Sequence, residues 1–316
     1  MAQLDLEQVT HWFSRSKEKA TVLQSVNLQL ASHQIFALVG ESGSGKTTLG
    51  KVVVGLIEPQ EGTVRFNGRS VSDRHERKVY RKSVQLVHQD PYASLNPTSK
   101  VLDIIGGGLL RHGLANRKTV RAKVKEILAD VGLPANDDFL LRYPNQLSGG
   151  QRQRVSIGRA IAVEPEIVVA DEAVSMLDVS MRVSILDLLL KLNRDRGVGC
   201  LFITHDFGVV RYFAEGQRIG VMYRGALVET GPCEEVIAHP NHPYTKLLLA
   251  SMPVLDPRQN RARPRVAASA FQPVDTGGQG CPFRARCPYA QARCSEESPT
   301  LDEVSEGHAA ACFFPE

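Results

Sequence analysis

A glycine-rich octapeptide, Gly40-Glu41-Ser42-Gly43-Ser44-Gly45-Lys46-Thr47, stands between the apolar run Ile35 to Val39 and a helix-forming stretch, Thr47 to Val54, that stops at Gly55 and Pro59. A continuous apolar run bounded by turn residues reads as a buried strand, and Gly and Pro end helices. Strand, loop and helix in this order fit G-x-x-x-x-G-K-[ST]. The glycines let the backbone curl until several N–H groups face one anion, while the helix presents its positive end to it. A fully buried strand feeding a helix belongs in an α/β sheet, so this segment constrains the fold before any other is considered.

Further signals agree with it. Alternating apolar positions at Leu4, Leu6 and Val9, and at Val26, Leu28 and Leu30, predict half-buried strands at the start of the chain. Val64 to Phe66 runs into the turn Asn67-Gly68, and Val84 to Val87 predicts another strand ending at Gln89. From about Tyr92 to Ala162 the pattern is helical. Val120, Val124, Ile127, Leu128 and Val131 share one face there, with Thr119 as a candidate cap and Gly132 and Pro134 as terminators. Strands return at Ile167 to Ala170, Cys200 to Thr204 and Ile219 to Met222, separated by helical stretches, which predicts a largely parallel sheet. Beyond about Gly231 the composition becomes rich in Pro, Arg and Cys.

Several residues carry chemistry by type and place. In the octapeptide, Lys46 is positioned to hold β- and γ-phosphates and Thr47 to ligate Mg²⁺, with Gly40, Ser42, Gly43, Ser44, Gly45 and Thr48 completing the site. Asp171 and Glu172 follow an apolar strand, where a carboxylate can meet a metal ion at the carboxyl edge of a parallel sheet. Asp171 is assigned to Mg²⁺ and Glu172 to general base, since an attacking water needs an acceptor near the γ-phosphate. Ser148 can cap a helix starting at Gly149 and Gly150, whose dipole then points at an anion.

Together with the octapeptide, Leu147-Ser148-Gly149-Gly150-Gln151 resembles the signature of ABC ATPases. The resemblance implies a RecA-like P-loop core carrying an antiparallel β subdomain and an inserted helical subdomain. It makes Gln89 a Mg²⁺- and water-sensing glutamine beside the surface that meets membrane subunits, and His205 the histidine that contacts the γ-phosphate. It makes Trp12 the ring that stacks on adenine, with Phe13 as the alternative. It also implies that Ser148, Gly149, Gly150, Gln151 and Asp178 act on ATP bound to a second ATPase subunit, a copy of this chain or a different one. One departure stands out: Asp171-Glu172-Ala173-Val174-Ser175-Met176-Leu177-Asp178 lacks the proline, threonine and alanine usual in the family. A lost proline frees a φ angle, which leaves the placement of Asp178 open.

His239-Pro240-Asn241-His242-Pro243-Tyr244-Thr245, with Gly280-Cys281-Pro282-Phe283 and Arg286-Cys287-Pro288, resembles the C-terminal extension of the oligopeptide and dipeptide importer branch, whose relatives also move nickel and glutathione. Gln89-Asp90-Pro91 and Ser94-Leu95-Asn96-Pro97 are similar to the same branch. The expected organisation is an ATPase domain over residues 1–235, with its helical subdomain over about 92–162, followed by an extension over 236–316. The expected partners are a second ATPase subunit, two transmembrane permease subunits and, through them, an extracytoplasmic solute-binding protein. A soluble ABC-type ATPase of a non-transport complex is the alternative; it normally brings paired ATPase domains, a coiled coil or a basic surface.

Cys281, Cys287, Cys294 and Cys312 are separated by gaps of five, six and seventeen residues, unlike the close pairs of zinc sites. Stable disulfides are rare in cytoplasmic proteins. A 4Fe-4S cluster tolerates such spacing, and some members of this branch carry one, so the four thiols are read as cluster ligands. Zinc with His308 as a stand-in ligand is the second reading. Cys200 and Cys233 are read as packing residues. A net charge of +4 over 316 residues is too mild to imply nucleic acid, and the cluster Arg258, Arg261, Arg263 and Arg265 reads as a solvated linker. No run approaches eighteen apolar residues and Met1 to Asp5 lacks the build of a signal peptide, so the chain is expected at the cytoplasmic face of the inner membrane, bound peripherally.

Overall fold

The alternating N-terminal residues form two long antiparallel strands, β1 (Gln3–Arg15) and β2 (Glu18–Ala31), in the computed structural model, which describes residues 2–15, 18–252 and 280–315. The arginines at 258, 261, 263 and 265 lie outside the described residues. A second sheet begins with β3 (Ile35–Val39), which leads into α1 (Lys46–Val53). β4 (Glu61–Phe66) and β5 (Arg69–Ser70) then complete the first sheet in the order β2-β1-β4-β5. Helix α2 (Arg74–Ser83) precedes β6 (Val84–Val87).

The helical block consists of α3 (Pro91–Ser94), α4 (Val101–Arg111), α5 (Val120–Asp130), α6 (Asp137–Leu140) and α7 (Gly149–Ile161). Val124, Leu128 and Val131 on and just after α5 are fully buried against it, each worth roughly 1.5–3 kcal/mol relative to exposure. Thr119 precedes this helix as expected, but its hydroxyl does not cap it. Asn116 takes that part instead: its Oδ1 accepts from the backbone N–H of Lys118 and Thr119, and the Thr119 hydroxyl accepts from Asn116 N. The cap sits one turn upstream because residues 117–119 form a turn that Asn side chains stabilise well.

After β7 (Ile167–Asp171) come α8 (Val179–Arg196), β8 (Gly199–Thr204), α9 (Phe207–Phe213), β9 (Arg218–Tyr223), β10 (Ala226–Pro232), α10 (Cys233–Ala238), α11 (Pro243–Ala250), α12 (Arg293–Glu296), β11 (Asp302–Ser305) and β12 (His308–Ala310). The large sheet runs β11-β12-β10-β9-β3-β8-β7-β6. Its five strands from β9 to β6 are parallel, and β10, β12 and β11 are added antiparallel. Strand β3 is buried throughout because both faces are covered. Ile35, Ala37 and Val39 point into one core with the helical block, Phe36 and Leu38 into another with β1 and β2.

The C-terminal residues do not stand apart from this core. β12 pairs with β10 through Glu229 and Thr230, and the fully buried Glu229 carboxylate accepts from Asn241 N (2.6 Å) and His242 N (3.1 Å) and lies 2.8 Å from His308 Nε2. Tyr244, Phe283, Cys281 and Cys294 join the same apolar cluster as the helical block. Among the described residues no helix is long and apolar enough to cross a membrane.

Candidate functional site

The octapeptide wraps the N-terminus of α1, and two of its glycines have no substitute. Gly45 precedes the helix at φ +104°, where a Cβ would come within 2.7 Å of Val22 O, and a Cβ on Gly40 would lie 2.2 Å from Met222 O. No side chain caps α1, so its first-turn N–H groups face the loop. Gly225 N donates to Ser44 O at 2.9 Å and pins the loop to the turn after β9. Lys46 is buried and its ammonium donates to Gly40 O (2.7 Å) and Glu41 O (2.8 Å), with Ser44 Oγ at 3.4 Å. Burial pulls the Lys46 pKa below its ordinary value against the opposing pull of Glu172, Asp171 and Glu41, so a charge is held there at a cost that an anion would offset.

Three strand ends converge on this loop. Thr47 Oγ1 donates to Asp171 Oδ1 (3.2 Å) at the end of β7. Burial raises the Asp171 pKa; the Thr47 hydrogen bond opposes this, Glu172 adds to it, and Lys46 and Lys51 oppose it. Next to it Glu172 sits at φ +45°, a left-handed backbone costly for a non-glycine residue, held by its N–H donating to Ile203 O at 2.9 Å. Gln89, two residues past β6, donates from Nε2 to Glu172 Oε2 at 2.8 Å, and His205, after β8, places Nδ1 3.3 Å from Glu172 Oε1. The donor set around Lys46 thus contains a hydroxyl, a carboxylate and an amide oxygen from Thr47, Asp171 and Gln89, hard ligands that suit Mg²⁺ bound with phosphate oxygens.

Trp12 lies on β1 opposite Thr21, one residue before the Val22 whose carbonyl lies against Gly45. The ring is partly exposed, with the Lys19 ammonium 4.6 Å above it. Phe13 is exposed and stands edge-on to His11.

The signature residues form a second locus. Ser148 Oγ accepts from Gln151 N (3.3 Å) while Gln151 Oε1 accepts from Ser148 N (3.1 Å), a reciprocal cap that starts α7. Gly150 is in contact with α8: a Cβ there would be 2.4 Å from Met181 Sδ. Among the described contacts no hydrogen bond joins residues 148–151 to residues 40–47. Asp178 begins α8 and accepts from Met181 N (2.9 Å) and Ser180 Oγ (2.8 Å). The bonds Ser175 N to Glu172 O and Leu177 N to Val174 O order the stretch where the family proline is missing.

Cys281, Cys287, Cys294 and Cys312 line one small pocket, together with His242 and Phe283, and none of the six cysteines is in a disulfide. Burial raises the thiol pKa of Cys281 and Cys312 and pushes Cys287 up to about 11. Among the described residues no three His, Cys, Asp or Glu form a group that could hold a metal ion. The reading of His308 as a zinc ligand is corrected: its Nε2 is engaged by Glu229, its Nδ1 lies 3.5 Å from Asn241 Nδ2, and it does not line the cysteine pocket. Cys200 and Cys233 are buried, with Cys200 pushed up to about 12 by desolvation, as packing residues would be.

Two features had no sequence signal. Arg286 forks onto Glu41 of the phosphate loop, and a cavity of about 830 Å³ opens beside His88, lined by Arg77, Lys78, Arg81, Arg111 and Arg159. Their members lie far apart in the chain.

The model of the ABC transporter family matches residues 23–175, and that of the oligopeptide/dipeptide transporter C-terminal region matches residues 228–294. The chain is 40% identical over 316 residues to a putative oligopeptide transport ATP-binding protein of Bacillus subtilis (strain 168), covering 98% of this chain and 95% of that one. It is 39% identical to the dipeptide transport ATP-binding protein of Haemophilus influenzae, covering 94% and 90%. Among solved structures, the ATP-binding cassette MJ0796, in a dimeric post-hydrolysis state bound to ADP and Pi, is similar with a TM-score of 0.64 and 30% identity, covering 73% of this chain and 98% of that one. Nucleotide-loop geometry, a catalytic-type carboxylate and these relationships agree: the chain is an ATPase and belongs to the ABC transporter ATP-binding subunits of the oligopeptide/dipeptide importer branch.

Proposed function

We propose that this chain hydrolyses ATP to drive import of di- or oligopeptides, or a related solute, through a membrane transporter. The observation that carries the mechanism is the Glu172 carboxylate, held by Gln89 on one oxygen and by His205 on the other, beside Lys46. Glu172 accepts a proton as a water oxygen attacks the γ-phosphorus. The bond to the β,γ-bridging oxygen breaks, and ADP and phosphate result. Lys46 and the loop N–H groups, with Ser42, Ser44 and Thr48, hold the β- and γ-phosphates; His205 reads the γ-phosphate, and Trp12 stacks on adenine. Thr47, Asp171 and Gln89 would hold Mg²⁺, which would supply neutralisation of charge on the phosphate oxygens.

Ser148 to Gln151 and Asp178 act on ATP held by a second ATPase subunit. The reciprocally capped start of α7, which among the described contacts makes no hydrogen bond to the chain's own phosphate loop, supports this. The cationic cavity beside His88 and Gln89 supports contact with permease subunits, and through them a solute-binding protein, at the cytoplasmic face of the membrane. We take residues 1–235 as the ATPase domain, about 92–162 as its helical subdomain and 236–316 as the extension. We assign the four-thiol pocket to a structural 4Fe-4S cluster rather than zinc. The four thiols that line one pocket and the wider reach of a cubane support that order.

The test is purification from membranes in detergent, followed by reconstitution. Co-purifying permease subunits and peptide-stimulated ATP hydrolysis are expected. A lone soluble protein whose hydrolysis no permease alters would overturn the transport reading.

A further inference from the structure

The extension reaches Glu41 of the phosphate loop through two residues, Arg286 and Tyr244. Arg286 donates from Nη1 to Glu41 Oε2 (2.9 Å) and from Nη2 to Glu41 Oε1 (2.7 Å), a bidentate pair in which the arginine side chain is 4% exposed. Its guanidinium lies 5.5 Å from the ring centroids of Tyr223 and Phe283 and 5.9 Å from that of Tyr244, and its Nη1 is 3.4 Å from Tyr223 Oη. Glu41 N donates to Tyr244 Oη at 2.9 Å. Glu41 O, in turn, accepts from Lys46 Nζ and from Ser44 N. Every polar group of Glu41 is therefore engaged: side chain and N–H by the extension, carbonyl by the loop and its lysine. Arg286 occupies the turn between two pocket cysteines, where Arg284 N donates to Cys281 O and Arg286 N to Phe283 O.

We propose that Arg286 and Tyr244 are positioning residues which, through Glu41, set the place of Lys46, so that nucleotide affinity depends on the folded state of the cysteine pocket 245 positions away from the loop in sequence. Neither residue touches nucleotide. The extension fixes where the loop carbonyls sit, and those carbonyls fix where the ammonium meets a phosphate. The coupling runs through a fork whose arginine is buried and whose glutamate is 29% exposed, so that its loss removes a charge partner from a partly buried site. The inference rests on the nucleotide site and requires no particular occupant of the thiol pocket.

The test is calorimetric titration of the full chain with ADP, which binds without turnover, alongside steady-state ATP hydrolysis. R286A is expected to raise the ADP Kd about tenfold, in the range expected for losing a charge-assisted fork. It should raise the ATP KM in parallel and change kcat less than twofold. E41A should do the same, the E41A/R286A double variant should be no weaker than either single one, and R286K should restore part of the affinity. C287S, which disturbs the pocket, should weaken ADP binding in the parent chain and add nothing in the R286A background. Y244F keeps the aromatic cluster and removes only the acceptor of Glu41 N; it should raise Kd a few-fold and carries the test should R286A fail to fold. Parental affinity in R286A or Y244F, independent effects of R286A and E41A, or an equal effect of C287S with and without Arg286 would overturn the proposal. Failure of the parent chain itself to bind ADP would instead overturn the nucleotide site.

Discussion

Gln89 Nε2 donates to Glu172 Oε2 at 2.8 Å, joining two residues 83 positions apart on one carboxylate. The residue past β6 and the residue past β7 meet because their strands are parallel neighbours whose carboxyl ends face the same edge. The bond also orients the carboxylate, leaving Oε1 toward His205. E172Q keeps the size of the side chain and removes its basicity. ATP binding should stay within about twofold of the parent while kcat falls on the order of 10²–10⁴-fold, the usual worth of a positioned general base. Single-turnover hydrolysis at the parental rate would reject Glu172 as base. Q89A should lower kcat less, because it frees the carboxylate without removing it.

Lys46 holds its charge in a buried place at a cost to the empty protein. Its depressed pKa means that stability carried by this group is complete only above the ordinary lysine range and is reduced where the ammonium is charged, neutral pH included. K46M should therefore leave the melting temperature of the nucleotide-free chain unchanged or higher. In the parent, saturating nucleotide at 100-fold its Kd should add about 2.7 kcal/mol. In K46M this gain should vanish, which differential scanning calorimetry with and without ADP reads directly.

His242 accepts from Tyr244 N through Nδ1 and starts α11, with its ring against Phe283. Burial lowers its pKa from 6.5 to about 3, so it is neutral in the folded chain while the unfolded chain binds a proton below about 6.5. The sign follows: its contribution to stability is complete above pH 6.5 and is lost as the pH falls toward 3, about 5 kcal/mol across that window. Urea melts from pH 7.5 to 4 should show the parent weakening more steeply than H242N, which keeps an acceptor for Tyr244 N without a titrating ring. Parallel pH profiles would remove His242 as the cause.

Three of the pocket thiols, Cys281, Cys287 and Cys312, hold their protons when nothing is bound, because burial raises their pKa. Binding a cluster would release those protons and order the extension. Anaerobic purification should give a brown protein with about four irons per chain. Removal of iron by chelation should lower the melting temperature of the chain, because the extension shares the core sheet through β12 and the apolar cluster through Tyr244 and Phe283. A colourless, iron-free protein with the same melting curve would dismiss the cluster.

Much of this chain is legible from local pattern. β3 and β7 coincide with apolar runs bounded by turn residues because a strand covered on both faces favours apolar side chains throughout, the functional Asp171 at the end of β7 being the exception. The phosphate loop is legible because Gly40 and Gly45 meet backbone atoms that leave no room for a Cβ. The cap of α5 is less so, since Asn116 and Thr119 both suit a helix start and only the intervening turn selects between them. His308 was open to misreading for a stronger reason: a histidine near cysteines resembles a ligand until the buried Glu229 that occupies it is brought up from β10.

The sequence by itself determined the α/β core, the loop and helix that face phosphate, the carboxylate pair at a strand end and the family to which the chain belongs. All of these are set by neighbours within a few residues or by fixed spacing. Only the tertiary structure decided that Gln89 and His205 share Glu172, that the extension completes the core sheet through β12, and that Arg286 grips Glu41. Those pairings join residues between 33 and 245 positions apart, where chain entropy erases local preference and packing alone chooses which polar groups meet.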